Sequence, residues 1–212
     1  MAAAPEPKPI VSIHDHTAIV ARVRIRPTIL YASFAAWWLV AAAAPASAQS
    51  DPFAAHRWHF EAETQAALEA WNYNGSHEEL YGLHETLSYG VADGVVLRFG
   101  QHVVYVSQRG NDTWVLGLTF GARKRVYRRG GMSVFLQGEL GISDAAIAAP
   151  PRGTRFNYIA MGGAGALIPL TPRVHFVGTL EVFHLSNASL KGPGRNPDIE
   201  AIGLSVGLNI GF

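Results

Sequence analysis

Residues 199–212 run Ile-Glu-Ala-Ile-Gly-Leu-Ser-Val-Gly-Leu-Asn-Ile-Gly-Phe. Strand side chains alternate between faces, so Glu200, Ile202, Leu204, Val206, Leu208, Ile210 and Phe212 share one face, and Gly203, Ser205, Gly207, Asn209 and Gly211 share the other. Just upstream stand His184, Ser186 and Asn187 in a His-x-Ser-Asn turn, then a loop, then Asn196-Pro197-Asp198-Ile199-Glu200. Three groups able to carry serine-hydrolase chemistry therefore lie beside a strand suited to lipid.

The same period recurs upstream. Strands are predicted at about 58–71, 79–91, 95–107, 114–127, 132–143, 156–168, 174–186 and 199–212. In the fifth, Met132, Val134, Leu136, Leu140 and Ile142 alternate with Ser133, Gln137, Glu139 and Ser143; in the fourth, Trp114, Leu116, Leu118 and Phe120 alternate with Gly117, Thr119, Gly121 and Arg123. The first sets Trp58, Phe60 and Leu68 against Glu61, Glu63, Gln65 and Glu69. With Arg98, Arg125 and Glu181, the charged members of the second face are expected to pair inside a polar interior.

The connections alternate in length. Ala92-Asp93-Gly94, Arg128-Arg129-Gly130-Gly131 and the stretch through Thr171, Pro172 and Arg173 have turn chemistry, whereas 72–78, 108–113, 144–155 and 187–198 are longer. Short turns on one side and longer loops on the other are the pattern of an outer-membrane barrel. A soluble lipocalin-like barrel would also alternate, with its apolar face inward around a ligand. Three features favour the lipid-facing arrangement: an export signal, the loop asymmetry and a terminal strand ending in Phe212. The fold expected is all-β, an eight-stranded antiparallel transmembrane β-barrel in a Gram-negative outer membrane.

The export signal lies in residues 1–48, an N-terminal extension and signal peptide expected to be removed. Arg22, Arg24 and Arg26 precede an apolar run through Trp37, Trp38 and Ala41 to Ala44, closed by the small-x-small cleavage pattern Ala46-Ser47-Ala48. Cleavage leaves residues 49–212 as one barrel domain. With no cysteine in the chain, neither a disulfide framework nor a thiolate metal site is available, and a net charge of +1 implies no nucleic-acid partner. His14-Asp15-His16 has a metal-ligand spacing but falls in the segment to be lost, and no cofactor or metal is expected.

With both termini periplasmic, the seventh strand runs outward and the eighth returns, placing Ser186 and Glu200 near the extracellular end. His184 and Ser186 share the parity of Val174, Phe176, Leu180 and Val182, and Glu200 that of Ile202 and Leu204, so all three point toward lipid. Residues i and i+2 on a strand are about 6.6 Å apart at Cα, within reach of a His ring for a Ser hydroxyl. Ser186 is then the nucleophile and His184 its base, with Glu200 orienting the ring. Asn187, with a backbone N–H near Ser189, could serve the oxyanion. His-x-Ser alone is a common loop-edge pair. A carboxylate sharing its lipid-facing parity is less expected, because ionised groups there are costly unless paired.

The string His184-Leu185-Ser186-Asn187-Ala188-Ser189-Leu190, followed by Asn196-Pro197-Asp198-Ile199-Glu200 and the terminal strand, resembles the PagL family of lipid A 3-O-deacylases, also called acyloxyacyl hydrolases. The resemblance implies an eight-stranded outer-membrane barrel with an exterior Ser-His-Glu triad. It also implies removal of the ester-linked acyl chain at position 3 of lipid A, the lipid anchor of lipopolysaccharide. Phe212 resembles the terminal signal read by the outer-membrane assembly machinery. Two departures stand out. The family commonly has Gly where this chain has Ser189, and the loop through Gly192, Pro193 and Gly194 is about two residues longer, so strict spacing from His184 would select Asp198 instead of Glu200. The Asn-Pro-x-Ile-Glu register favours Glu200.

Lys191, Arg195, Arg152 and Arg155 could contact lipid A phosphates or simply be solvated. A non-enzymatic outer-membrane barrel serving adhesion or membrane integrity, and a soluble periplasmic lipid-binding barrel, are the alternatives.

Overall fold

The structure is a computed structural model that describes residues 51–71, 77–192, 194 and 196–212. The expected leader and His14-Asp15-His16 lie outside these residues, as does Arg195. Eight strands follow in order: β1 (Trp58–Glu69), β2 (Glu79–Ala92), β3 (Val95–Ser107), β4 (Thr113–Arg129), β5 (Met132–Ala149), β6 (Thr154–Pro169), β7 (Val174–Ser186) and β8 (Ile199–Gly211). Each pairs antiparallel with its neighbour, and β8 returns to β1 to close the barrel. Closure leaves no unpaired sheet edge, the condition for crossing a bilayer with strands.

The apolar face is the outer one. Leu116, Leu118 and Phe120 of β4, Leu136, Leu140 and Ile142 of β5, Leu180 and Val182 of β7, and Ile202, Leu204, Val206 and Leu208 of β8 are all exposed. Aromatic side chains border this belt. Trp58 packs at a tilt against Tyr89 at the end carrying the short turns, with ring centroids 4.7 Å apart, and Tyr105 meets Trp114 edge-on at the other end. An apolar band between two aromatic girdles fits a bilayer, and the lipocalin-like alternative, with its apolar face inward, is not the arrangement observed.

The lumen is filled in three layers. At mid-height Glu61 accepts hydrogen bonds from Arg98 and Arg123, while Arg98 Nε donates to Glu139 at 2.6 Å. Ser205 donates to Glu63, and His84 bridges through Gln65 toward Glu181. Above this network, toward the longer loops, lies an apolar layer containing Leu80, Val104, Val106, Ile159, Phe183, Leu185 and Ile199. Below it Phe53, Val96, Phe135, Leu167 and Val177 form a second. The expected polar interior is thus confined to the middle. Alternation reports two chemically distinct faces only where the lumen is polar; in β3 both faces of the upper half carry Val or Tyr.

Arg125 and Glu69 depart from the expected interior set. Arg125 sits at the lower rim, bound to Asp51 at 2.8 Å beneath the Phe53 plug, and Glu69 sits at the upper rim, where its carboxylate accepts the Glu78 backbone N–H. The connection expected at 144–155 is mostly strand, since β5 continues to Ala149 and pairs with Thr154 at the start of β6. Only residues 150–153 remain as a turn, so the loop asymmetry is carried mainly by 70–78 and 187–198.

One carboxylate faces lipid in mid-belt. Glu85 shares the outward parity of Leu83 and Leu87, is buried, and accepts a hydrogen bond from Gln101 of β3 beside Phe60 and Phe99. Pairing with Gln101 and cover by the rings reduce the cost of a carboxyl at that depth.

Candidate active site

The upper ends of β7 and β8 pair so that His184 stands directly opposite Glu200. The odd-numbered neighbours decide which way these two point. Phe183 and Leu185 of β7, and Ile199 and Ala201 of β8, all enter the upper apolar layer of the lumen. Strand alternation then turns His184, Ser186 and Glu200 to the outside. Burying a side chain the size of Leu or Phe contributes about 1.5–3 kcal/mol. The wall carrying the outward groups is therefore pinned from behind.

On that wall the side chains form a chain of contacts. His184 Nε2 lies 2.9 Å from Ser186 Oγ, and His184 Nδ1 lies 3.6 Å from Glu200 Oε1. The first is hydrogen-bonding distance; the second is an ion-pair distance somewhat beyond one. His184 and Glu200 side chains are 39% and 33% exposed, whereas Ser186 is only 8% exposed. A proton can thus pass from the Ser186 hydroxyl to Nε2 while Glu200 faces the opposite ring nitrogen, the arrangement by which a neutral imidazole activates a serine.

The two halves of the motif are tied together by Asn196. Its Oδ1 accepts the Asn187 backbone N–H at 3.1 Å, and the Asn187 side-chain amide donates to Thr154 Oγ1 at 3.0 Å. Asn187 is 1% exposed, and one amide hydrogen is engaged by Thr154. Thr154 has no motif signal of its own, since its position depends on β6, whereas Asn196 opens the second half of the motif.

Beyond Asn187 the chain turns through two residues in left-handed conformation, Ala188 with φ 49° and Ser189 with φ 61°. For residues with a Cβ this costs about 1–2 kcal/mol each, and glycine takes it freely. The turn is fastened by Leu190 N–H to Asn187 O at 3.1 Å and Gly192 N–H to Ser189 O at 2.8 Å. A glycine at position 189 would suit this backbone, which gives a physical meaning to the departure at Ser189.

Asp198 also reaches the site. One ligand atom from each of His184, Asp198 and Glu200 can be chosen so that all lie within 4.8 Å of one another. Glu200 holds the register position opposite His184, and Asp198 precedes β8. Among the basic loop residues, Arg155 is held by Asp144 at 2.7 Å and by the Ala145 carbonyl, and Lys191 is exposed.

Beside the triad a groove of about 420 Å³ opens on the outer wall, lined by Trp71, Ala160, Gly162, Val182, His184 and Glu200. The small residues Ala160 and Gly162 of β6 make it, and Trp71, from the loop after β1, walls it. Trp71 was not among the residues singled out from sequence, because nothing in its local pattern links it to β7.

No protein-family model matches the chain, and no curated protein matches it. Solved structures do. The outer membrane enzyme PagL is 18% identical with a TM-score of 0.50, over 70% of this chain and 98% of that one. The outer membrane protein OprG from Pseudomonas aeruginosa is 13% identical with the same TM-score, over 78% of this chain and 99% of that one. At such identities the likeness is one of fold. Together with the lipid-facing belt, it makes the chain an eight-stranded outer-membrane β-barrel.

Proposed function

We propose that this barrel is an outer-membrane esterase that removes the 3-O-linked acyl chain of lipid A by a Ser-His-Glu mechanism. The observation that carries the reading is the line Ser186 Oγ, His184 Nε2, His184 Nδ1, Glu200 Oε1, on the lipid-facing wall at the rim bearing the longer loops. A soluble ester would meet this site only at the membrane surface. A lipid ester would meet it with its acyl chain already along the wall, in the groove between Trp71, Ala160, Gly162 and Val182. The likeness to an outer-membrane enzyme and the motif around His184 point the same way.

In this mechanism Ser186 Oγ attacks the ester carbonyl carbon as its proton passes to His184 Nε2. The imidazolium so formed is stabilised by Glu200. The negative charge on the carbonyl oxygen is taken by the side-chain amide of Asn187 and by the backbone N–H of Ser189. Collapse breaks the bond to the sugar oxygen, which leaves with the proton from His184. Water, deprotonated by the same histidine, then releases the fatty acid and restores Ser186. No cofactor takes part in these steps. Lipid A is the partner on the outer leaflet, and Phe212 would present the chain to the assembly machinery.

The equal structural likeness to OprG supports a second reading, a non-enzymatic barrel. Mass spectrometry of lipid A from cells expressing the wild type and Ser186→Ala separates the two. Loss of one hydroxyacyl chain with the wild type alone is expected. Unchanged lipid A in both, with the protein present in the outer membrane, would favour the non-enzymatic barrel.

A further inference from the structure

We propose that His184, Asp198 and Glu200 form a binding site for a zinc-class divalent ion, and that its occupancy switches the esterase off. The binding half stands on geometry alone; the switch rests on the esterase reading above.

The donor set is one imidazole nitrogen and two carboxylates, with ligand atoms that all lie within 4.8 Å of one another. Imidazole with carboxylate is a donor combination suited to zinc, at about 2.0–2.2 Å per bond. Two donors at that distance across a tetrahedral centre are about 3.4 Å apart. His184 Nδ1 and Glu200 Oε1 are 3.6 Å apart, close to that spacing and long for a direct hydrogen bond. A serine triad needs one carboxylate, so the second, Asp198, is surplus to the proposed hydrolysis. All three residues are half-buried, and Asp198 lies on the loop side of β8, so an ion can arrive from the aqueous side of the rim.

Occupancy would act through the imidazole tautomer. Hydrolysis needs the ring proton on Nδ1, facing Glu200, so that the Nε2 lone pair can accept the Ser186 proton. An ion bound at Nδ1 takes that nitrogen's lone pair, and the ring proton moves to Nε2. His184 then has no lone pair for Ser186, and Glu200 is occupied by the ion. No bond to substrate forms or breaks in the inhibited state.

The test uses tag-free protein extracted from membranes into detergent, with zinc chloride alone as the probe and calcium and magnesium chlorides as comparisons. Titration calorimetry is expected to give one zinc ion per chain with an affinity in the micromolar range. Asp198→Asn and His184→Ala should each weaken it at least tenfold, and calcium should bind at least tenfold more weakly. Zinc should suppress lipid A hydrolysis with the same midpoint, moved at least tenfold higher in Asp198→Asn when each protein is scaled to its own metal-free rate. Zinc affinity equal in all three proteins, or absent up to millimolar zinc, overturns the site. Zinc bound at full occupancy with hydrolysis undiminished overturns the switch. A wild type that binds zinc through these residues yet hydrolyses nothing when metal-free would keep the site and remove the esterase reading.

Discussion

In the middle of the lumen Glu61 accepts four hydrogen bonds, three from Arg98 and Arg123 and one from Asn209, with its side chain wholly buried. On the outer wall of β7 and β8, Glu200 faces one ring nitrogen at 3.6 Å and is a third exposed. Both regions set a carboxylate against a nitrogen base on neighbouring stretches of the same barrel. Glu61 is saturated, so it has no spare capacity for a substrate. The outer set is strung in a line in which His184 and Glu200 stay about a third exposed. Saturation marks the charges that hold the wall up, and an open line of donors and acceptors marks those available for chemistry.

The contrast is broken most directly from the outer side. His184→Ala should lower lipid A hydrolysis by about 10⁴-fold or more, as removal of a triad base does. The thermal midpoint of the barrel in detergent should stay within a few degrees of wild type. A large fall in that midpoint would mean that the outer line is structural too. From the lumen side, Glu61→Ala leaves Arg98 and Arg123 buried with less compensation, and should cost about 3–5 kcal/mol. Urea unfolding in lipid vesicles reads this, and an unchanged midpoint would refute the structural assignment.

A finer comparison lies within the outer set. Glu200→Gln should cost about 10²-fold or more in kcat, and Asp198→Asn at least tenfold less than that, assayed free of metal. The reverse order would exchange their roles. The smallest effect is expected at the turn. Ser189→Gly relieves a left-handed φ and should stabilise the barrel by up to about 1 kcal/mol, with hydrolysis retained. Loss of activity there would instead give the Ser189 side chain a part in the reaction.

The barrel was legible in the sequence because its period is local. Alternation in β4 and β8 and the turn residues at Asp93-Gly94 and Gly130-Gly131 place these strands to within two residues of those observed, while β5 starts where expected and runs on past Ser143 to Ala149. The outward parity of His184, Ser186 and Glu200 was legible for the same reason. What escaped depends on partners distant in sequence. Trp71 joins the groove through strand pairing around the barrel, and Thr154 orients Asn187 from β6. The upper lumen layer was hidden because apolar residues face both ways there. Glu85 is a different case, since parity with Leu83 and Leu87 already puts it on the lipid side; what parity omits is its partner Gln101 and the cover of Phe60 and Phe99.

The stacked lumen has an electrical consequence. Arg98, Arg123, Glu61 and Glu139 hold one another in place between the upper apolar layer and the Phe53 plug, so the cross-section is occupied by fixed, mutually neutralised side chains. Mobile ions would have to displace those partners to pass, at the cost of stripping buried charges of their counter-charges. Such a wall is an insulator, and a cell could stock its outer membrane densely with this protein without adding a leak for salts or small polar toxins.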